Sequence, residues 1–316
     1  TVSVNLPPAS GLSTGQHHIT IYTYNPVSSV GIGDLLNTND TLTKAFGIAG
    51  TLAGPLVEGF ESPTFPPGGW VVVNPDAATT WARLNVGKNS TASAYANNYN
   101  YPLPGRVDDL YSPRVSYSGV DSVLLSFDVA AAGFAHAAPS DTLQVLVTKD
   151  CGNSFISVYK KWGTGLQTVG TIPPGEFVPS SASEWRTETI DLTSIAPTGP
   201  MQFVFRNSNT NENNIFVDHV NLSTRILPGR LKREGLLLFP NPFRGQFTVW
   251  HYQAPTDLTY IKVYSSTGQL VWYKQFNGTA LKQEVIDLTT RSVGVYVVQL
   301  GYADGSHNVA IKVVKY

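Results

Sequence analysis

The sequence has 316 residues, enough for two or three domains that each bury a core of their own. Only 14% of the residues are charged, and 21 basic side chains nearly balance 22 acidic ones, which argues against a nucleic acid or an anionic membrane as partner. No apolar run is long enough to span a bilayer as a helix. The 28 glycines and 21 prolines, together with many Thr, Ser, Val and Tyr residues, predict an all-β protein.

Residues 1–49 predict a few strands but no complete domain. Residues 2–6, 18–22 and 42–48 alternate apolar and polar side chains or form short apolar runs, as strands do. Three short strands cannot close a sandwich, which needs about seven. The segment resembles the final strands of the Ig-like repeats that precede adhesin modules in bacterial surface proteins. We therefore expect an incomplete Ig-like repeat, in a chain that begins after processing or as a fragment.

Residues 50–224 form the largest predicted domain. Strand-like runs without a helical period, separated by Pro, Gly, Asn and Ser, predict a jelly-roll β-sandwich, with an Ig-type sandwich as the alternative. The runs lie near residues 55–60, 70–74, 123–130, 142–149, 155–160, 185–192, 201–206 and 215–222. Residues 225–235 are predicted to be a linker, because a Pro-Gly pair and clustered charges mark a domain boundary.

Residues 236–316 predict a small Ig-like β-sandwich of about seven strands. Short alternating runs follow one another, and Asp304-Gly305 between two of them is a hairpin signal, because a type I′ turn needs positive φ at both central positions. Pro240 and Pro242 fix φ and remove backbone donors, which suits a turn that leads into the domain.

Four short motifs in this last segment occur in the order that one family shows. They are Phe239-Pro-Asn-Pro-Phe243 with Gly245 and Phe247, Val263-Tyr264 through Gly268, Gly294-Val-Tyr296, and Lys312-Val-Val-Lys315. The segment resembles the C-terminal sorting domain of the type IX secretion system of Bacteroidota-type bacteria; an ordinary Ig-like binding domain is the alternative. The resemblance implies export across the outer membrane to the cell surface, with an outer-membrane shuttle and a sortase as partners. It also implies a set of sorting-signal residues: Pro240, Asn241, Pro242, Gly245, Gly268, Gly294, Tyr296, Lys312 and Lys315.

The middle domain carries motifs of a second group. They include Glu58-Gly-Phe-Glu61, Phe65-Pro-Pro-Gly-Gly-Trp70, Asn74-Pro-Asp76 with Thr80-Trp81, Asp150-Cys-Gly152 and Ile215-Phe-Val-Asp218. The domain resembles the choice-of-anchor J and cleaved-adhesin group, MAM-like jelly rolls related in shape to carbohydrate-binding domains. The resemblance implies an adhesion module that binds carbohydrate or protein. The chain departs from the group at residues 211–214, where Asn-Glu-Asn-Asn replaces a frequent Gly-Asn pair.

A structural calcium site is predicted in the middle domain. Asp218 is in phase with Phe216 and Val220, and Glu58 is in phase with Leu56, so both carboxylates lie on apolar strand faces. A buried carboxylate is costly unless it is paired, hydrogen-bonded or bound to a metal, and the resemblance implies a calcium ion here. The predicted Ca²⁺ ligands are Glu58, Glu61, Asp218, Asp76 and Asp128. The alternative is that backbone N–H groups or Arg114 satisfy these carboxylates.

A ligand-binding surface is predicted where aromatic and amide side chains alternate. Tyr95, Tyr99 and Tyr101 are separated by Ala and Asn in a loop-like run, and Trp81 precedes them. Aromatic faces with nearby amides suit a sugar ring, which has an apolar face and a rim of hydroxyls. The alternative is that these aromatics cover the core beneath a long loop.

Catalysis is not expected from the motifs. The sequence contains no nucleophile elbow, zincin motif, phosphate-binding loop or dinucleotide fingerprint, and Cys151 has no nearby histidine to activate it. We expect a non-enzymatic, exported surface or secreted protein. One alternative is the accessory C-terminal region of a secreted protease or glycoside hydrolase whose catalytic domain lies upstream. Another is that the middle domain itself is a hydrolase, because carboxylate pairs are defined by their separation in space.

Overall fold

The structure is a computed structural model, and it describes residues 9–24, 31, 33, 40–101, 103–117, 119–133, 140–170, 175–195, 199–303 and 308–316. The chain forms two compact units, the first unit Thr1–Ile226 and the second unit Leu227–Tyr316. Strands dominate the described residues, which confirms the predicted all-β fold. Within these ranges, no helix has the length and apolar character that crossing a membrane requires.

The first unit is a sandwich of two large sheets. Its described strands are β1 (Gly15–Tyr22), β2 (Thr41–Ile48), β3 (Thr51–Leu52), β4 (Val57–Glu58), β5 (Val71–Val73), β6 (Trp81–Leu84), β7 (Ser93–Ala96), β8 (Val107–Tyr111), β9 (Arg114–Tyr117), β10 (Ser122–Ala131), β11 (Thr142–Thr148), β12 (Ile156–Trp162), β13 (Arg186–Asp191), β14 (Gly199–Ser208) and β15 (Ile215–Arg225). One sheet has the order β13-β10-β15-β7-β6, with β4 added on β15. The other has the order β12-β11-β14-β8-β5, with β9 on β14 and β3 parallel to β9. A short helix α1 (Gly163–Leu166) and a 3-10 turn (Ala182–Glu184) lie in the connections.

The core of the first unit lies between the two sheets. Residues of β10 alternate between buried and partly exposed through Phe127 and are then buried at every position to Ala131, as expected for a strand in the middle of a sheet. Phe127 meets Phe205 of β14 edge to face, with ring centroids 5.4 Å apart. The predicted strand runs from residue 55 onward all coincide with strands, so the sandwich prediction is confirmed.

Strands β1 and β2 form a hairpin that lies beside β5 of the first unit. Their ladder runs from Gly15 opposite Ile48 to Tyr22 opposite Thr41. Gly47 allows the close approach, because a Cβ atom at that position would lie 2.8 Å from Cγ2 of Val73. The strands predicted at residues 18–22 and 42–48 are therefore present, whereas residues 2–6 lie outside the described residues. That the hairpin is the end of an upstream Ig-like repeat stays a prediction.

The second unit is a smaller sandwich. Its described elements are α2 (Gly229–Glu234), β16 (Leu236–Phe239), β17 (Gln246–His251), β18 (Leu258–Ser265), β19 (Leu270–Gly278), β20 (Gln283–Asp287), β21 (Gly294–Tyr302) and β22 (Val309–Lys315). The sheets have the orders β16-β17-β20 and β19-β18-β21-β22 and enclose their own core. The predicted linker at 225–235 contains the short helix α2, which ends at Gly235 in the left-handed conformation. The Asp304-Gly305 turn lies outside the described residues.

Candidate functional sites

The Pro-Asn-Pro motif of the second unit lies against the terminal strand β22. The side chain of Asn241 donates to the carbonyl of Lys312 over 3.0 Å and accepts from the N–H of Val314 over 3.0 Å. Phe243 continues the contact through its backbone N–H, which donates to the carbonyl of Val314 over 2.8 Å. Pro240 and Pro242 flank this amide and are exposed. Two motifs seventy residues apart in sequence are thus one feature in space.

Lys315 is a buried cation at the end of β22. Its ammonium donates to the carbonyl of Leu288 over 2.9 Å, to that of Thr289 over 3.1 Å, and also to that of Arg291. Lys315 is 8% exposed, whereas Lys312 is exposed. The two predicted lysines therefore have different environments: Lys315 holds the 288–291 turn and Lys312 faces solvent.

The remaining predicted sorting-signal residues shape turns and close approaches. A Cβ atom on Gly245 would lie 2.7 Å from Oγ1 of Thr289, so a side chain at this position would displace the threonine hydroxyl. Gly294 lies opposite Lys315 in the β21–β22 ladder, and the hydroxyl of Tyr296 donates to the carbonyl of Ser292 over 2.6 Å. Gly268 has φ +84° in the turn between β18 and β19, a region that favours glycine.

A cavity of about 420 Å³ in the first unit gathers four of the five predicted calcium ligands. Glu58, Glu61 and Asp128 line it, together with His219. Asp218 lies next to it because β4 pairs with β15, with Glu58 opposite Val220. The predicted phase is found for Glu58, which lies opposite Val220, but not for Asp218, because a bulge at His219 shifts the ladder and places Asp218 opposite Asp128, on the face away from Val220.

Asp218 is fully buried and satisfied by hydrogen bonds. It accepts from the backbone N–H of Lys88 over 2.9 Å, from the N–H of His219 over 2.6 Å and from the hydroxyl of Ser90 over 2.6 Å. Burial raises the pKa of Asp218, and these donors oppose the rise. The predicted alternative, satisfaction by backbone N–H groups, therefore accounts for much of its environment.

The other three carboxylates at the cavity, Asp128, Glu58 and Glu61, differ in the cations and hydrogen-bond donors that surround them. The Lys88 ammonium lies 2.8 Å from Oδ1 of Asp128, so that pair is an ion pair. Glu58 accepts from the N–H of Phe60 over 2.6 Å, yet burial raises its pKa and the negative charges of Asp218 and Glu61 add to the rise. The Thr91 hydroxyl lowers the pKa of Glu61. Among the described residues, no cation pairs with Glu58, and its pKa is raised.

Asp76 does not join this cavity. It accepts from the hydroxyl of Tyr101 over 3.0 Å and from the N–H of Ala78 over 3.0 Å, and Arg106 lies 3.6 Å away. Its inclusion in the predicted ligand set is corrected, because the loop after β5 directs it to a different set of partners. Among the residues that the structure describes, no three His, Cys, Asp or Glu side chains converge as metal ligands.

The predicted aromatic surface is largely part of the core. Trp81 and Tyr101 are each 2% exposed, and the Trp81 indole donates to the carbonyl of Asp108 over 3.1 Å. Both rings therefore serve the alternative that was predicted, covering the core, and neither face is free for a sugar. Tyr95 stacks on Phe216 at 5.4 Å and is half-buried. Tyr99, 39% exposed, keeps the surface position that was expected.

A cleft of about 530 Å³ lies between the β1–β2 hairpin and the outer face of the β8 and β14 strands. The side chain of Arg206 forms two parallel hydrogen bonds of 2.8 Å with Asp109 on its floor. Tyr111 and Phe155 add aromatic surface, and Phe155 is 37% exposed. The remaining lining includes His18, Lys44 and Cys151. No motif predicts this site, because its residues come from six separate segments of the sequence.

Cys151 is exposed and occupies a turn after β11 with φ +61°. This turn lies at the rim of the cleft.

Comparison with known proteins separates the two units. Residues 237–315 match the family model described as "Secretion system C-terminal sorting domain". This segment is a sorting domain. The predicted export to the cell surface is thereby confirmed. No curated protein matches the chain significantly.

The solved structures to which the chain is similar include two cleaved adhesin domains of Lys-gingipain. The K2 domain has 19% identity over 54% of this chain and 98% of its own, with a TM-score of 0.38. The K3 domain, from Porphyromonas gingivalis, has 20% identity over 54% of this chain and 99% of its own, with a TM-score of 0.40. The CBM22-1 xylan-binding domain of Paenibacillus barcinonensis Xyn10C has 13% identity over 57% of this chain and 100% of its own, with a TM-score of 0.34.

The sorting domain exposes an apolar surface beside its first motif. Phe239 is 61% exposed and Tyr316 is 63% exposed, and Pro240 and Pro242 are exposed beside Asn241. The side-chain amide of Asn241 is therefore hydrogen-bonded within the sorting domain, whereas the apolar side chains next to it in the Pro-Asn-Pro motif face solvent.

Proposed function

We propose that the protein acts outside the cell as a non-enzymatic binding protein, and that its first unit binds carbohydrate in the cleft beneath the β1–β2 hairpin. The observation that carries the proposal is the make-up of this cleft. Tyr111 and Phe155 offer apolar faces, and the Arg206–Asp109 pair offers donors and an acceptor in a fixed planar arrangement. Sugar rings need both kinds of surface at once.

The cleft is not equipped for glycoside hydrolysis. That reaction uses two carboxyl groups at a defined separation, one as acid and one as base or nucleophile. Among the cleft's described lining residues, Asp109 is the one carboxylate, and the Arg206 guanidinium already holds both of its oxygens. This supports binding without turnover.

The proposal is tested on a glycan array and by calorimetry with the full chain. We expect Phe155→Ala to weaken binding of any glycan hit at least tenfold, the loss of one aromatic contact. Tyr99→Ala is the matched control, because Tyr99 has a similar exposure of 39% but lies outside the cleft. Absence of any glycan hit, or loss of binding in Tyr99→Ala alone, would contradict a site in the cleft.

The main alternative is the accessory region of a secreted protease or glycoside hydrolase. Incubation of the full chain with polysaccharide and peptide libraries separates the two, since turnover by this chain alone contradicts a binding protein. Specific binding without turnover supports the proposal.

We further propose that the outer-membrane shuttle and the sortase recognise the folded surface of the sorting domain. Support comes from the exposed Phe239, Pro240, Pro242 and Lys312 beside a motif whose amide is occupied internally. Deletion of residues 236–316 is expected to leave the protein in the periplasm. Equal export of the deleted and intact forms would contradict this role.

A calcium ion held by Glu58, Glu61 and Asp218 is proposed as a structural element of the first unit. The raised pKa values of Glu58 and Asp218 support it, because a divalent cation would relieve the burial and repulsion behind them. The carboxylates would have to draw together around the ion. We expect calcium to raise the thermal unfolding temperature of the full chain and Glu58→Gln to reduce that gain. Equal gains in both forms would remove Glu58 from the ligand set.

A further inference from the structure

One tryptophan of the first unit differs from the others in its exposure. Trp162, the last residue of β12, is 58% exposed. Trp70, Trp81 and Trp185 are buried, and the two tryptophans of the second unit are half-buried. Leaving so large an apolar side chain in water forgoes the stabilisation that its burial would give. The indole of Trp162 is therefore available to a ligand.

Trp162 lies on the same sheet face as the floor of the cleft beneath the β1–β2 hairpin. Side chains that are directly opposite each other in neighbouring strands project from the same face. Trp162 is opposite Thr142, Thr142 is opposite Ser208, and Ser208 is opposite Val107 of the cleft lining. Thr142 and Ser208 are partly exposed. An open row of side chains thus leads from the cleft across β14 and β11 to Trp162.

A second row beside the first carries polar groups. Lys160 is opposite Gln144, Gln144 is opposite Arg206, and Arg206 is opposite Asp109. The Gln144 amide nitrogen donates to the hydroxyl of Ser157 over 2.9 Å, which fixes this amide on the face. The face therefore presents an indole, an amide and a cation side by side, and these are the groups that recognise the apolar faces and polar rims of sugars.

The extent of this face sets the length of a ligand that would cover it. Trp162 and Arg206 are two strands apart and two residues out of register. With about 4.8 Å between strands and about 3.3 Å per residue, this corresponds to about 12 Å. One sugar ring is shorter than this span. A ligand that contacts both side chains is therefore a chain of several sugars.

The face is basic, although the first unit as a whole is acidic. Residues 1–226 include 11 basic and 17 acidic side chains. Lys160 lies on the face and is exposed, and Lys44 and Arg206 line the adjoining cleft. Asp109 does not offset all three cations, because both of its oxygens accept from Arg206 alone. A local excess of positive charge favours an anionic ligand.

We propose that this sheet face binds an acidic polysaccharide, a chain that bears sugar carboxylates, from the cleft to Trp162. The inference rests on the proposed carbohydrate-binding function and extends its site. The Trp162 indole stacks on the apolar face of one sugar. The Lys160 ammonium, two residues earlier on the same face, pairs with a carboxylate of the chain. Trp162 and Lys160 thereby make the site selective for long and acidic chains.

Calorimetry of the full chain with oligogalacturonate and hyaluronan fragments tests the proposal. Acidic hexasaccharides are compared with the corresponding disaccharides and with hexasaccharides whose carboxyl groups have been reduced to alcohols. We expect an acidic hexasaccharide to bind at least tenfold more tightly than either control. Trp162→Ala should remove the gain from chain length, and Trp162→Phe should keep most of it. Lys160→Gln should remove the preference for the acidic over the reduced hexasaccharide.

Acrylamide quenching of tryptophan fluorescence supplies a second measurement. The bound hexasaccharide should protect the fluorescence of the wild type and of Tyr99→Ala, the control outside this face, but give no protection in Trp162→Ala. Unchanged hexasaccharide affinity in Trp162→Ala, or equal affinity for acidic and reduced chains, would overturn the inference. Phe155-dependent binding of a neutral glycan without any contribution of Trp162 would overturn it and leave the proposed function in place. Absence of binding by every glycan would contradict both.

Discussion

The side-chain amide of Asn241 is hydrogen-bonded to the backbone of Val314 in the terminal strand of the sorting domain. The same amide donates to the carbonyl of Lys312, two residues earlier. The Asn241 side chain therefore forms the two hydrogen bonds that the backbone of a neighbouring strand would form with β22, one with the Lys312 carbonyl and one with the Val314 N–H. The contact joins two of the predicted sorting-signal motifs, the Pro-Asn-Pro turn and the C-terminal Lys-Val-Val-Lys segment.

Replacing Asn241 by Ala should destabilise the sorting domain by roughly 1–2 kcal/mol, because two hydrogen bonds to β22 are lost. Chemical denaturation of the full chain measures the change in the transition of this domain. Asn277→Ala, at an exposed position of β19, is the control and should leave that transition within about 0.5 kcal/mol of wild type. Equal effects of the two substitutions would contradict the structural role of Asn241.

Lys315→Met should lower the stability of the sorting domain by about 2–3 kcal/mol, because three carbonyls lose a charged donor in a buried position. Lys312→Met should leave stability nearly unchanged, because Lys312 is exposed. Export should fall in Lys315→Met together with stability. A secreted, fully stable Lys315→Met protein would show that the buried ammonium is dispensable.

In a divalent-free buffer, the first unit should become less stable as pH rises from about 4 to 7. Burial raises the pKa values of Asp108 and Asp141 to about 6, so below the unfolded value of about 3.8 both groups are neutral and impose no penalty. Above their folded pKa values they must carry a buried charge. Asp108→Asn should therefore stabilise the protein at pH 7.5 by up to about 3 kcal/mol and flatten the pH dependence. A thermal unfolding series across pH checks this, and destabilisation at pH 7.5 without calcium would contradict it.

Labelling of Cys151 reports on the cleft without any substitution. The chain has one cysteine, and it is exposed at the rim of the cleft. A bound glycan should slow the reaction of this thiol with a maleimide several-fold, because the ligand covers the rim. The rate is followed by mass spectrometry at rising glycan concentration. An unchanged rate at saturating glycan would place the ligand elsewhere.

The long strands of both units were predictable because one face of each is buried and the sequence alternates accordingly. Strand β8 was not, since its Val-Asp-Asp-Leu-Tyr sequence places a carboxylate on each face of a buried sheet. The pairing of the strands that carry Glu58 and Asp218 was predicted and is found, but the register places Glu58 opposite Val220, and the bulge at His219 could not be predicted from the alternation.

The aromatic and amide run at residues 95–101 was misleading for a physical reason. Its amides bond within the protein: Asn98 and Asn207 exchange two hydrogen bonds of 3.0 and 2.7 Å in the buried core. The sequence does not distinguish an amide side chain that is hydrogen-bonded in the core from one that is exposed and able to bind a sugar. The cleft under the hairpin was missed because pairing between distant segments, which creates it, leaves no local pattern.

The contact between Asn241 and β22 also has a consequence for biosynthesis. The ribosome makes the partner of the Pro-Asn-Pro motif about seventy residues after the motif itself. A protein shortened by a premature stop codon before Val309 would lack that partner and present an unfinished signal. If the secretion machinery recognises the folded sorting domain, as proposed above, export would therefore require translation to reach the final strand.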